Sequence, residues 1–398
     1  MGVTLRRKMV EFMEKIIHKM TALIASEVCG KAIDPLQDPF SDEELAALYK
    51  LSKAHDLAHL VGDALIKNKL ISNAEIKSKF EKQLMTAVYR YEQINYELNC
   101  LRKVLNEAQI SFLPLKGSVL RQYYPEPWMR TSCDIDLLVH TSELDRVAAL
   151  LTEKSGYRAE SKQSHDISLY APSGVHVELH YTLIESNIVG DADKVLESVW
   201  TRSNPIDDTS EYVMDDALFY YYHVAHMAKH FVNGGCGVRP FLDIWVLNHC
   251  GRGCSDVCSA LLKAGGLDVF ASTAEKLSEV WFGTAVHDDL TRQVEQFVLN
   301  GGVYGTTENR VTLQQAKKGS KIRYAFSRIW LPYDTLKFQY PSLNGKRLLL
   351  PIYEVRRWFR LVFRGGAKRS AHELKLNSAT SKAEQDEAKA LLFSLRLN

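Results

Sequence analysis

Apolar residues in the first hundred positions recur at threes and fours. In "KFEKQLMTAVYRYEQINYELNCLRKVLNEA", Leu84, Val88, Tyr91, Ile94, Leu98, Leu101 and Leu105 fall on one side of a long amphipathic helix. "SDEELAALYKL", with Ser41 ahead of a run of acids, reads as a capped helix start, and the pattern stays helical to Glu107. Then the period changes. "ISFLPL" is a short apolar strand followed by Lys116-Gly117-Ser118, where "SVLRQYY" starts a helix. "CDIDLLVH" is a second strand, "SELDRVAALLTEKSG" a second helix, and "DISLYAPSGVHVELHY" a hairpin turning at Pro172-Ser173-Gly174. Beyond Asp215 the chain is mostly helical again, beginning with "DALFYYYHVAHMAKHFV". The pattern predicts an α/β (α+β) fold with four parts: an N-terminal helical region (1–105), an α/β core with a mixed sheet (106–205), a helical domain covering a cleft (206–310), and a basic, mostly helical C-terminal region (311–398).

The strand "DIDLLV" places two carboxylates at the head of an otherwise buried element. Aspartate is a poor strand former, and burying its charge costs several kcal/mol unless a partner compensates. Side chains alternate along a strand, so Asp134 and Asp136 share one face while Ile135, Leu137 and Val139 serve the hydrophobic layers. Two carboxylates about 6–7 Å apart on one face can share divalent cations. In the second arm of the hairpin, His176, Glu178 and His180 also share a face. If the hairpin lies beside "DIDLLV", Glu178 becomes the third carboxylate.

Composition narrows the class only slightly. The chain has 398 residues, 46% hydrophobic and 25% charged, which suits a soluble protein of two or three domains. Its 50 lysines and arginines nearly cancel 48 acids, so the net charge of +2 announces no nucleic-acid or membrane partner. Seven scattered cysteines suit a reducing compartment. Cys250, Cys254 and Cys258 are four apart but match no common zinc spacing, and a packed helix face is the expected reading. The basic N-terminus is interrupted by Glu11, Glu14, Lys15 and Lys19, unlike a signal peptide, and no apolar run reaches the roughly 18 residues of a membrane helix. A cytoplasmic protein with no stable membrane insertion is expected.

Three carboxylates beside a glycine-serine turn suit metal-assisted transfer from a nucleoside triphosphate. Two Mg²⁺ ions about 4 Å apart would bridge the phosphates, with Mn²⁺ as a substitute. The amides of Gly117 and Ser118 would hold the triphosphate, and Lys116 would add a cation.

Gly-Ser, then Asp-x-Asp on the next strand, then a carboxylate on a later strand resembles the DNA polymerase β-like nucleotidyltransferase superfamily. More closely, "LKGSVLRQYYPEPWMRTSCDIDLLV", "GVHVELHYTL" and "HVAHMAKHFVNGGCGVRPFLDIWVL" are similar to a bacterial family of uncharacterised nucleotidyltransferases, over roughly residues 80–250. The resemblance implies a polymerase β-like core, Asp134 and Asp136 as metal ligands, Glu178 as a further ligand or base, and Gly117 and Ser118 as the phosphate turn. Lys116, Arg130 and His180 also match. The expected reaction moves a nucleoside monophosphate to an unidentified small-molecule, peptide or RNA acceptor with release of pyrophosphate; the alternative is a nucleotide-binding or regulatory module without turnover.

Other residues carry two readings. Arg130 either contacts a phosphate or forms an ion pair fixing the loop before the strand. His180 either ligates or orients, or is a hydrogen-bonded structural histidine. His223, His226 and His230 share a helical face, and that helix is expected to cover the cleft, with His226, Lys229, His230 and Arg239 near nucleotide or acceptor; a histidine-metal phosphohydrolase is the less favoured reading. Near the C-terminus, Lys346, Arg347, Arg356, Arg357, Arg360, Arg364, Lys368 and Arg369 face the single Glu354, interleaved with Trp358, Phe359 and Phe363. Such a segment can contact an anionic membrane surface or RNA, but a solvated cationic face over a packed apolar one is the expected arrangement.

Overall fold

Ser41 accepts a hydrogen bond from the Glu44 amide while the Glu44 carboxylate answers the Ser41 amide, so the predicted helix start is a complete capping box. In the computed structural model, which describes residues 2–32, 40–185, 189–303, 305–318, 321–363, 376 and 381–397, four helices precede the sheet. They are α1 (Gly2–Val28), α2 (Asp42–Ala54), α3 (Ala58–Lys67) and α4 (Ala74–Glu107). The long helix α4 is rotated from the expected stripe in its first half: Val88 is exposed, and Phe80 and Ala87 take the inward positions. The cause is Gly62 of α3. A Cβ there would stand 2.8 Å from the Phe80 Cβ, so the bare glycine lets the two helices approach. From Ile94 to Leu105 the predicted stripe is buried.

The sheet contains β1 (Phe112–Pro114), β2 (Asp134–Val139), β3 (Arg158–Lys162), β4 (Asp166–Tyr170) and β5 (His176–His180), in the order β1-β2-β5-β4-β3. β2 runs parallel to β5 and antiparallel to β1, and the β4–β5 hairpin is antiparallel, giving the expected mixed sheet. Strand β3 was not expected. All five of its residues are exposed and four of them are polar, as suits an edge that must not pair further. Between β1 and β2 lies the single-turn helix α5 (Gly117–Leu120), and after β2 comes α6 (Leu144–Ala149).

The odd residues Ile135, Leu137 and Val139 join Val177 and Leu179 in a core closed by Ile94, Leu98, Leu101 and Leu105 of α4. The even residues of β2 therefore face the other way. After α7 (Ala192–Leu196) and a small hairpin of β6 (Ser203–Pro205) and β7 (Tyr212–Met214), that second face meets α8 (Asp216–Val232) and α9 (Arg239–His249), on which α10 (Asp256–Ala264) and α11 (Asp268–Phe282) pack, followed by α12 (Asp289–Gly301). Cys250 ends α9, Cys254 lies in the following turn and Cys258 is buried in α10, so the three thiols share no helix face.

Further along are α13 (Thr307–Lys318), α14 (Lys321–Ile329), α15 (Tyr333–Gln339), α16 (Leu350–Phe363) and α17 (Lys382–Ser394). Around α15 and α16 a small core of Leu336, Tyr340 and Leu343 forms. Here the expected arrangement is reversed. The inward face of α16 holds the buried pair Glu354–Arg357, 2.7 Å apart, while Ile352, Val355, Phe359 and Phe363 are exposed. Arg364, Lys368 and Arg369 lie outside the described residues. Among the described residues, no helix is long and apolar enough to cross a membrane.

Candidate active site

Because β2 and β5 are parallel and in register, Asp134 sits opposite His176 and Asp136 opposite Glu178. The pairing brings together two overlapping groups, Asp134–His176–Glu178 and Asp136–Glu178–His180, whose ligand atoms lie within 4.8 Å of one another. Lys116 approaches from the turn after β1. Its backbone takes φ +47°, an uncommon conformation for a side-chain-bearing residue that costs on the order of 1–3 kcal/mol. In that geometry its Nζ lies 2.7 Å from Asp136 Oδ1. The His180 Nε2 meets the same oxygen at 2.9 Å and lies 3.4 Å from Glu178.

The charges in this cluster shape one another. Burial alone would raise the Asp136 carboxyl, but the Lys116 charge and the His180 hydrogen bond outweigh it and hold Asp136 far below the ordinary range. Burial, then the Asp136 charge, pushes Asp134 up to about 6. Burial disfavours charged His180, yet its hydrogen bonds to Asp136 and Glu178 prevail and raise it to about 9. Lys116 is raised in turn, with the Asp136 charge overcoming burial. Three carboxylates thus face two cations, and the cluster has spare negative charge.

The cluster forms one wall of a cleft of about 440 Å³. His223, His226, Lys229 and His230 of α8 and Arg239 of α9 line it too. His226 and His230 touch through their Nε2 atoms at 3.1 Å, and burial keeps both well toward the neutral form. The wall also includes Lys116 and Gly117 but not Ser118. The Ser118 amide donates to the Leu115 carbonyl at 3.1 Å and its Oγ is buried without a partner. Ser132 takes a place on the wall instead, accepting from Arg121 at 2.7 Å.

Arg130 forms the ion pair. Its Nε and Nη2 donate to the two oxygens of fully buried Asp243 at 2.6 and 2.9 Å, its Nη1 donates to the Thr131 carbonyl, and the Tyr124 hydroxyl completes Asp243 at 2.7 Å. Beside it, Arg239 reaches Asp56 at 2.9 Å and the Thr131 carbonyl at 3.1 Å, while Thr131 Oγ1 donates to Asp56. This clamp joins the α2–α3 turn, the loop before β2, and α9.

A model of the family described as uncharacterised nucleotidyltransferase matches residues 41–283. The chain belongs to this family. The family match contains the whole sheet, the carboxylate cluster, the clamp and α8, and it supports transferase chemistry in general terms. No curated protein and no solved structure matches the chain.

Several residues around the family's cleft were not foreseen. Asp56, His165, Asp166, Glu185 and Tyr222 line it, with Lys229 hydrogen-bonded to Glu185 and His165 3.4 Å from the same carboxylate. Asp166 carried the same signal as Asp134, an acid heading an apolar strand; Glu185 and Asp56 lie in irregular segments with no periodic context to mark them.

Proposed function

We propose that this chain moves a nucleoside monophosphate from a nucleoside triphosphate to an acceptor hydroxyl or phosphate, releasing pyrophosphate. The observation that carries this reading is the register of β2 and β5, which sets Glu178 opposite Asp136 within the cleft of a nucleotidyltransferase family member.

Asp134, Asp136 and Glu178 would hold the metal, two Mg²⁺ ions or Mn²⁺ in their place. The donor set fits: carboxylate oxygens are hard ligands, Glu178 lies within 4.8 Å of Asp134 in one group and of Asp136 in the other, and their charge exceeds that of Lys116 and His180. When bound there, divalent ions would supply positive charge against the phosphates and lower the pKa of the acceptor hydroxyl. Among the chain's own groups, Asp136 is the fixed anchor, its side chain 4% exposed and held by two partners. Glu178, 26% exposed, faces the cleft and is placed to take the acceptor's proton. Lys116 and the Gly117 backbone face the triphosphate, and the acceptor hydroxyl attacks the α-phosphorus in line with the departing pyrophosphate. His226, Lys229, His230 and Arg239, on the opposite wall, would meet the base or the acceptor. His180 orients Asp136, and Arg130 acts at a distance by fixing the loop that leads into β2. The core of residues 106–205 would supply the chemistry and residues 206–310 its cover.

The test is heat of binding for ATP, CTP, GTP and UTP with Mg²⁺, followed by pyrophosphate release with candidate acceptors, on the wild type and on Asp136→Asn. Metal-dependent binding of one nucleotide and a loss of transfer of at least about a hundredfold in the variant are expected. Undiminished transfer would sink the assignment. Nucleotide binding without pyrophosphate release against any acceptor would favour the regulatory module.

A further inference from the structure

Helix α16 is inside out for a packed helix. Among its described side chains the fully buried ones are Glu354 and Arg357, with Leu350 and Tyr353 partly packed beside them; the pair bond each other and, respectively, the Leu331 amide and the Ile329 carbonyl. On the opposite side, Ile352, Val355, Phe359 and Phe363 recur at threes and fours with 64, 45, 60 and 79% of their surface exposed, and Leu348 just before the helix is 95% exposed. Scattered apolar residues on a surface need no explanation, but a continuous stripe of them does. Arg356 and Arg360 flank this stripe, each leaning over the Tyr340 ring at 5.5 and 5.2 Å, and Lys346 and Arg347 stand ahead of it. The helix's one acid, Glu354, is on the buried side.

We infer that α16 is an interfacial helix that lays its apolar stripe into the surface of an anionic lipid bilayer. Charge complementarity selects this occupant. Apolar residues entering the acyl boundary beside arginines at headgroup level is the arrangement by which amphipathic helices bind anionic membranes. A second copy docked face to face would set Arg356 and Arg360 against the same cations. RNA would be poorly served by Ile352 and Val355, which have no ring for a base to stack on. The helix is too short to span the membrane, so it lies along the surface. In sequence the helix follows the family match, which ends at residue 283, and the inference does not depend on the proposed reaction.

Flotation of the full chain with phosphatidylglycerol vesicles, and separately with phosphatidylcholine vesicles, tests it without nucleotide. The wild type is expected to float with the first and far less with the second, and to be released by high salt. Phe359→Ser with Phe363→Ser should lower the partition coefficient at least about tenfold, and Arg356→Gln with Arg360→Gln about tenfold or more on the anionic vesicles. Phe359 and Phe363 are exposed, so that pair should leave the melting temperature unmoved and a folding defect can be told apart; the arginine pair, which also leans over Tyr340, is read only against its own melting temperature. No flotation with phosphatidylglycerol, or flotation indifferent to the phenylalanine changes, overturns the inference. So does retention on a poly(U) column without vesicle binding, or a concentration-dependent dimer that the phenylalanine changes dissolve.

Discussion

Two buried cation–carboxylate pairs line the same cleft, and they are built to opposite ends. In the clamp, Arg130 and the Tyr124 hydroxyl satisfy Asp243 completely, one charge against one. In the cluster, Lys116 and His180 converge on a single oxygen of Asp136, while Asp134 and Glu178 bring the carboxylates to three against those two cations. A balanced pair fixes geometry. An unbalanced one leaves an affinity for a cation, and this asymmetry separates a structural from a functional use of the same residue types.

The contrast breaks most readily at the clamp. Arg130→Met leaves Asp243 charged, buried and half-partnered, and denaturant unfolding should show a loss of about 3–5 kcal/mol. A loss below about 1 kcal/mol would mean that the two pairs do not differ in kind. Acid should act on the same side of the molecule. His55 is fully buried beside the clamp residue Asp56, and burial, only partly offset by its contact with the Leu299 carbonyl, lowers it to about 4. A depressed histidine contributes stability that is complete above its unfolded pKa of about 6.5 and is lost as pH falls toward 4. The full term is on the order of 3 kcal/mol, and His55→Gln should flatten that limb of a stability–pH curve. On the cluster side, Mg²⁺ at a hundredfold excess over its dissociation constant should raise stability by about 2.7 kcal/mol, an increment that thermal melts should find absent in Asp136→Asn. Tyr124→Phe should have the smallest effect, about 1.5 kcal/mol, because Asp243 keeps its guanidinium; a loss as large as that of Arg130→Met would assign the clamp to the hydroxyl.

The parts legible in the sequence were those set by short-range periodicity. Alternation alone placed Asp134 with Asp136 and Glu178 with His180, and the guess that the hairpin lies beside β2 was enough to unite them. The partner of Arg130 was not legible, since Asp243 is 113 residues away and both readings of the arginine used the same local words. Ser118 looked like half of a phosphate turn, but the first turn of α5 uses its amide internally. Val88 was misplaced because Gly62, on another helix, decides which side of α4 comes close. The face of α16 was reversed for a related reason: one buried ion pair to the Ile329–Leu331 backbone overrode the preference of four apolar side chains.

The clamp also bears on the order in which this protein can be assembled. Asp56 meets Arg239 across 183 residues of sequence, so a chain emerging from synthesis has all three carboxylates in place long before the loop beneath them can be locked. A fragment limited to residues 106–205 would hold the three carboxylates yet leave Arg130 unpaired. The smallest autonomous unit therefore has to reach from before Asp56 to beyond Asp243, and nascent chains shorter than that are the ones expected to need chaperones.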